Sequence, residues 1–422
     1  MNRRNTVYLL IILCLIGGVL DSEHDFLFHM AYVLSAVLVL SFIFAWTAVN
    51  WLRIGRQTYV LRTQVGQQFD ETFHIRNTSL IPKLWIEVRD HSTLPQHKSS
   101  RVVPLLRGRG DYKWRVQTPC IRRGQFSLGP ITLTSGDPFG FFQFPRHISA
   151  TSDIIVYPAT IPLFNFASPI GALSGGNAIR RRTFEVTPNA AGIREYSPGD
   201  SLNRIHWKST ARRGKLLVKE FELDPMGDVW IFLDLSRDSL VEQRSVYGGA
   251  DYVLGNPMRL PPSTEEYGVV VAGSLVQYFI EQNRAVGFLS YTPYREYIAP
   301  DRGDRQLTDI LEILALARSE NDISLHQILA LEAPQLSRGT TLIVVTSSLQ
   351  TTWTSEAYVQ SRRGLSVRAV MIDPTSFGKQ DGNFEHARQQ VDTAEIPIYP
   401  VRYNDDLSIV LSDDVGTPFR RY

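Results

Sequence analysis

The sequence predicts a protein of mixed α/β and β class. It reads as an N-terminal transmembrane helical hairpin, a β-sandwich-like domain and a doubly wound α/β domain. Three observations carry this. Two apolar runs lie within the first 55 residues, split by the acidic stretch "DSEHD" (Asp21–Asp25). Short stretches of alternating polarity, broken by turn residues, fill Thr58–Tyr157. From Asp228 onward, continuous apolar strand-length runs alternate with segments of helical period. The implied divisions are 1–55 for the hairpin, 56–163 for the β domain, 164–227 for a linker with a charged motif, and 228–422 for the α/β domain. At 422 residues the chain is too long for one ordinary core.

The first apolar run, Thr6–Leu20, covers about 22 Å as a helix, short of the ~30 Å hydrocarbon layer. The second, Phe26–Leu52, is long enough to cross with tilt. Arg3 and Arg4 precede the pair, and Arg53, Arg56 and Arg62 follow it. The positive-inside rule then places both flanks, and the bulk of the chain, on the cytoplasmic side of the cell membrane. A charged start with a short apolar core also suits a signal peptide, but no small-x-small cleavage site follows cleanly.

In the β domain, "YVLRTQV", "FDETFHIRN", "KLWIEVRD", "DYKWRVQT", "GQFSLGPITLTSGD" and "DIIVYPA" read as strands. "GDPFGFF" (Gly136–Phe142) ends one of them in an aromatic cluster, which fits core packing or a ligand shelf. Phe164–Ile179 is rich in Gly, Ser and Ala and reads as a linker, followed by Arg180–Arg182.

The α/β domain opens with "DVWIFLDLS", a buried parallel strand by its continuous apolarity. Ser263 and Glu266 have capping-box spacing at the start of the next helix. Further helices and strands alternate to "IPIYPV", which implies a parallel sheet covered on both faces. Neither GxGxxG nor GxxxxGK[ST] occurs, which argues against nucleotide sites of those types. A net charge of +2 argues against bulk polyanion binding. Two cysteines, Cys14 and Cys120, build neither a disulfide framework nor a zinc site.

The densest motif is "REYSPGDSLNRIHWKSTARRGKLLVKEFE" (Arg194–Glu222), with seven Lys/Arg and four Asp/Glu. Asp200 is placed to cap a helix running through "SLNRIHWKSTARRG", closed by Gly214. Ile205 and Trp207 have the bulk to anchor that helix. Trp207, Lys208 and Arg212 can present a stacking and forked donor surface. Three functions fit these residue types. Glu195, Asp200 and His206 could work as an acid/base set, although no activated nucleophile accompanies them. Basic residues mixed with Trp207 suit a nucleic-acid strand, but the acidic residues dilute the charge and no nucleic-acid partner is expected. The reading adopted is a domain clasp that doubles as a partner surface, built on Arg194, Glu195, Tyr196, Gly199, Asp200, Trp207, Lys208, Arg212 and Glu220. There, Arg194, Arg212 and Lys219 pair with Glu195, Asp200, Glu220 or Glu222. The long stretch Arg237–Pro262 would lie over the carboxyl edge of the sheet, as a binding insertion or a disordered one.

This 29-residue motif, together with "RRGQFSLGPITLTSGDPFGFF" (Arg122–Phe142) and the N-terminal hairpin, resembles the DUF58 family over nearly the whole chain. "DLSRD" at the end of the first α/β strand resembles the metal site of von Willebrand factor A-type domains, whose motif is Asp-x-Ser-x-Ser. The resemblance implies a membrane-anchored protein with a von Willebrand A-like segment, and the reading adopted for it is non-enzymatic. Its implied partner is a protein of the MoxR-type AAA+ ATPase class. By the same resemblance Asp234, Ser236 and Asp238 would contribute to a divalent-cation site, Mg²⁺ for example, in an adhesion or assembly factor. The site is degenerate: Asp238 replaces the second serine, Ser347 stands where an aspartate ends a later strand, and no threonine fits the remote position. Asp234 could instead cap the following turn and pair with an arginine such as Arg237.

Overall fold

The computed structural model describes residues 3–20, 25–166, 190–197, 205–221, 227–242 and 260–412. The chain divides into two compact units, one mostly within residues 1–159 and the other mostly within 160–422.

The first unit begins with helices α1 (Arg3–Leu20) and α2 (Asp25–Val49), which pack against each other. Phe26–Val49 of α2 is 24 residues long and apolar enough to cross a membrane. Val33, Val39, Leu40 and Ile43 all point outward. Ten strands follow: β1 (Leu52–Thr58), β2 (Arg62–Gln64), β3 (Gln68–Asn77), β4 (Lys83–Asp90), β5 (Arg101–Leu106), β6 (Asp111–Pro119), β7 (Gly124–Leu128), β8 (Ile131–Gly136), β9 (Gln143–Ile148) and β10 (Ser152–Tyr157). They form sheets of order β1-β3-β6, β5-β4-β8-β9 and β2-β10-β7. The period-2 alternation read from the sequence is visible in β3, where Phe69, Phe73 and Ile75 turn inward. Residues of the first two sheets (Phe73, Ile75 and Trp114 from one; Ile86, Val103 and Leu133 from the other) share a single core, in which Phe73 stacks on Trp114. The β2-β10-β7 sheet closes a smaller core around Phe69, Leu94, Ile154 and Val156. Only two residues separate the end of α2 from β1, and α2 also packs on β8, β9 and β4.

The second unit starts on a surprise. Phe166, read from sequence as part of a linker, is fully buried. Its ring lies 4.7 Å from that of Tyr399, and its carbonyl accepts the Tyr278 hydroxyl. Next, β11 (Ala190–Glu195), α3 (Trp207–Arg213) and β12 (Leu217–Phe221) form a small hairpin with a one-helix insertion.

The main sheet then comprises β13 (Val229–Leu233), β14 (Val286–Thr292), β15 (Tyr294–Asp301), β16 (Thr341–Thr346), β17 (Ser366–Ile372) and β18 (Ile398–Val401). The helices are α4 (Thr264–Glu281), α5 (Asp304–Leu316), α6 (Leu325–Glu332), α7 (Trp353–Arg362), α8 (Phe384–Thr393) and α9 (Leu407–Val410). Sheet order is β15-β14-β13-β16-β17-β18, all parallel except the edge strand β15, which the sequence reading missed. Trp230 and Phe232 meet Leu325, Ile328, Trp353 and Phe384 from α6–α8 on one face. The α4 helix covers the other face, where Gly268 comes against Leu233 and Ile372. At the N-terminus of α4, Ser263 makes no side-chain cap bond; the capping box sits at α6, between Ser324 and Gln327. The order reverses at β13, so its carboxyl end and that of β16 border the switch point where open α/β sheets place ligands.

Candidate functional site

The charged motif does not start its helix where the sequence suggested. Ile205 bridges Val218, and the N-cap of α3 is His206, whose Nδ1 accepts the Ser209 amide at 3.2 Å. Asp200, the N-cap expected from the sequence, lies with Gly199 outside the described residues. Gly214 closes the helix in the left-handed region at φ 64°, as expected. Ile205 is the buried anchor, whereas Trp207 is 66% exposed. Lys208 and Arg212 are exposed too, and their i,i+4 spacing puts them on one face of α3.

In the hairpin Arg194 opposes Val218, Glu195 opposes Leu217, and Glu220 opposes Gly192. The half-buried Tyr196 extends the ladder through its amide to Leu216. The ion pair seen here, Glu195 to Lys215 at 3.1 Å, uses a lysine the clasp reading did not name. Both partners are more than two-thirds exposed, and pairs of that kind add little stability.

At the switch point the strand ends are tied up internally. Asp234 is buried, and each of its oxygens has a partner. Oδ1 accepts the Ser236 amide at 3.0 Å, and Oδ2 accepts the Thr346 hydroxyl at 2.6 Å. Burial pushes its carboxyl upward, opposed by these hydrogen bonds and reinforced by the charge of Asp238. The turn-capping role expected of Asp234 is present, but Arg237 goes elsewhere, to Asp322 at 3.3 Å and to the Glu320 carbonyl. Ser239 donates to the Ser236 carbonyl, and Ser347 donates to the Ser239 carbonyl, both at 2.7 Å. A divalent cation needs about six oxygens with several charges. Here Asp234 is spent on protein donors, Ser236 is buried, and Asp238 is exposed. The residues present do not fit a Mg²⁺ shell. Beside them opens a cavity of about 210 Å³, lined among others by Ser236, Arg237, Asp238, His326, Ser348 and Gln350. Of the Arg237–Pro262 stretch, residues 243–259 lie outside the described residues.

A second polar cluster, in the β-rich unit, escaped the sequence reading. Glu71, Asp90 and His97 bring potential ligand atoms within 4.8 Å of one another, with side chains 0%, 0% and 1% exposed. The guanidinium of Arg56 sits against both carboxylates, bonding Asp90 Oδ2 and lying 3.5 Å from Glu71 Oε1. It already holds the place a cation would take. Burial raises the Glu71 carboxyl, against the charges of Arg56 and His97. For Asp90 burial acts the same way but is outweighed by bonds from His97, Ser99 and Arg56, so its carboxyl is lowered. A signal existed: Glu71 falls in phase with Phe69, Phe73 and Ile75, an acid on the core face of its strand.

Residues 192–377, which include the whole of the charged motif, match the model of the family described as "Protein of unknown function DUF58". The uncharacterized protein YeaD of Bacillus subtilis (strain 168) is 28% identical over 130 residues. That stretch is 30% of this chain, and the match spans about a third (32%) of the relative's length. Among solved structures, the conserved hypothetical protein BatB from Bacteroides thetaiotaomicron aligns with 44% of this chain and 93% of its own. The identity is 16% and the TM-score 0.30. Proximal thread matrix protein 1 from the mussel byssus aligns with 44% of this chain and 46% of its own, at 13% identity and a TM-score of 0.29.

Proposed function

We propose that this is a membrane-anchored, cytoplasm-facing, non-enzymatic interaction protein. In this reading the anchor is a two-helix hairpin of α1 and α2, and the α/β unit is a von Willebrand A-like domain with a degenerate metal motif. Its partner is a protein of the MoxR-type AAA+ ATPase class, as the DUF58 resemblance implies. The observation that carries the non-enzymatic reading is the fate of the strand-end groups. Asp234, Ser239, Thr346 and Ser347 all spend their polar atoms on the protein itself. That leaves Arg237 and Asp238 facing solvent beside the cavity, a charged recognition rim rather than an aligned acid, base and nucleophile. On α3 the exposed Trp207 and Arg212 add two of the residue types that dominate protein-binding hot spots, with Lys208 on the same face as Arg212.

The test is a crosslinked pull-down of the full chain from solubilised membranes, comparing wild type with Arg212→Glu and Asp238→Lys. Circular dichroism checks that each variant folds. Recovery of an AAA+ ATPase with wild type, and its loss with either folded variant, supports the reading and says which face docks. No ATPase recovered from wild type sinks the partner assignment. An alkaline wash that strips the protein from membranes sinks the anchor.

A further inference from the structure

We propose that the β-rich unit is seated in the lipid surface, with the β8–β9 tip (Asp137–Phe142) inserted beside α2 and a basic rim on the anionic head groups. This rests on the reading of α2 as a membrane span.

Depth comes from α2 itself. Its apolar stretch, Phe26–Val49, is 24 residues long, or about 36 Å, against a hydrocarbon layer of about 30 Å. Phe42 lies about 10 Å from the Val49 end. Even with all the excess length placed at that end, Phe42 sits about 4 Å inside the hydrocarbon edge. A helical side chain also leans toward the N-terminus, which here is deeper still. The Phe42 ring packs edge-on against Phe142 at 5.5 Å and Phe144 at 5.6 Å. The tip of the β8–β9 hairpin is thus carried to the depth of the span.

The tip is built for that position. Asp137 is buried and accepts the amides of Phe139 at 2.9 Å and Phe142 at 2.6 Å, so the turn closes on its own carboxylate. Phe139 stacks on Phe141 at 5.8 Å yet remains 56% exposed. Nearby, the Thr78 amide and hydroxyl both bond the Trp51 carbonyl, bringing the β3–β4 turn to the end of α2. That turn exposes Leu80 (73%) and Ile81 (47%), beside Trp46 and Trp51, whose rings meet at 5.9 Å. Tryptophans at this level match the aromatic belt of membrane interfaces.

Charge completes the case. Residues 46–56, 76–84, 101–110 and 136–148 hold one acidic residue among them, Asp137, already used inside its turn. The same stretches expose Arg53, Arg107, Arg109 and Arg146. Arg146 bonds the Leu52 carbonyl, and Arg109 bonds Ser79 through its amide, so both stand near the foot of α2. Basic groups just outside a span are attracted to anionic head groups. The occupant this face fits is the bilayer that holds α2.

The experiment uses the full chain in mixed phosphatidylcholine–phosphatidylglycerol vesicles, with Cys14→Ser and Cys120→Ala as background. Single spin labels are placed at Phe139→Cys, at Leu40→Cys in α2, and at Tyr294→Cys, which is 78% exposed in the α/β unit. Accessibility to oxygen and to a water-soluble nickel chelate reads depth. The expected result is high oxygen and low nickel access at 139 and 40, with the reverse at 294. Nickel access at 139 with 40 still in lipid overturns the proposal and leaves the anchor standing. Low access to both reagents at 139 means burial against protein and also overturns it. Nickel access at 40 and 139 together removes the anchor and the proposal with it. Without phosphatidylglycerol the label at 139 should move outward, and an unchanged depth would remove the role given to the basic rim.

Discussion

Asp90→Asn should open the β-rich unit, and the reason is how the Arg56 guanidinium is held. Asp90 Oδ2 accepts bonds from Arg56, from His97 Nε2 at 3.0 Å and from Ser99 Oγ at 2.8 Å. An asparagine keeps one acceptor but removes the charge. Arg56, with a side chain only 10% exposed, is then left with Glu71 at 3.5 Å and the Phe73 ring at 5.0 Å. Removing one partner of a buried ion pair costs about 3–5 kcal/mol, because the surviving charge stays out of water. That corresponds to a rise of about two to three and a half powers of ten in the local opening constant. Hydrogen exchange by mass spectrometry on peptides of β3, β4 and β6 reads that constant for this unit alone, which a single melting curve of a two-unit protein does not. The control is Asp70→Asn, which breaks the exposed Asp70–Arg115 pair at 2.8 Å between β3 and β6. It should leave exchange unchanged. If Asp90→Asn raises exchange less than tenfold, or no more than the control does, the cluster is not a buried ion network and the reasoning fails.

Three further outcomes follow from the same geometry. Because the Glu71 carboxyl is raised from 4.5, the folded state holds its proton more tightly. Wild-type stability relative to Glu71→Gln should therefore rise as pH falls from neutral toward 4.5 and level off below it, by exchange at several pH values. Glu332 accepts Arg295 Nε at 2.6 Å, Arg295 Nη2 at 2.7 Å and the Tyr291 hydroxyl at 2.8 Å, fastening β15 to α6. With Arg295 42% exposed, Glu332→Gln should cost about 1.5 kcal/mol, seen as faster exchange in β15. The Arg295 bonds chiefly lower the Glu332 carboxyl, so this contribution is present above pH 4.5 and is lost as pH falls through the lowered value. Magnesium titrated into the protein should give no saturable heat, whereas a saturable signal that Asp234→Asn abolishes would reinstate a cation site at the strand end.

Long periodic segments were legible from residues alone, and single-residue placements were less so. β13 and β16 announced themselves by unbroken apolarity because both faces of the sheet are covered. The edge strand β15 did not: it alternates half-buried and exposed residues and carries Pro300, a pattern shared with loops. Capping was misjudged for a physical reason. Ser263 and Glu266 have the right spacing, but the Ser263 amide donates to the Pro261 carbonyl at 2.7 Å. A neighbouring backbone acceptor takes the donor the box would have used. The same competition moved the start of α3, where Ile205 is drawn into a bridge with Val218 before the helix can begin.

The degenerate strand end shows how far a motif can be read. "DLSRD" has two of the oxygen types a cation site uses, and sequence spacing alone cannot say where those oxygens point. The neighbours decide it. Thr346 at the end of β16 is a hydroxyl that can donate to Asp234, and the adjacent Ser347 donates to the Ser239 carbonyl across the same gap. An aspartate at position 347 could not donate at all when ionised. It would also bring a second carboxylate toward a buried one whose ionisation burial already opposes. Serine there is consistent with a strand end closed by hydroxyl-to-carbonyl bonds instead of by a metal. Such a closure leaves the cavity rim, rather than its floor, as the surface on which Arg237 and Asp238 can act.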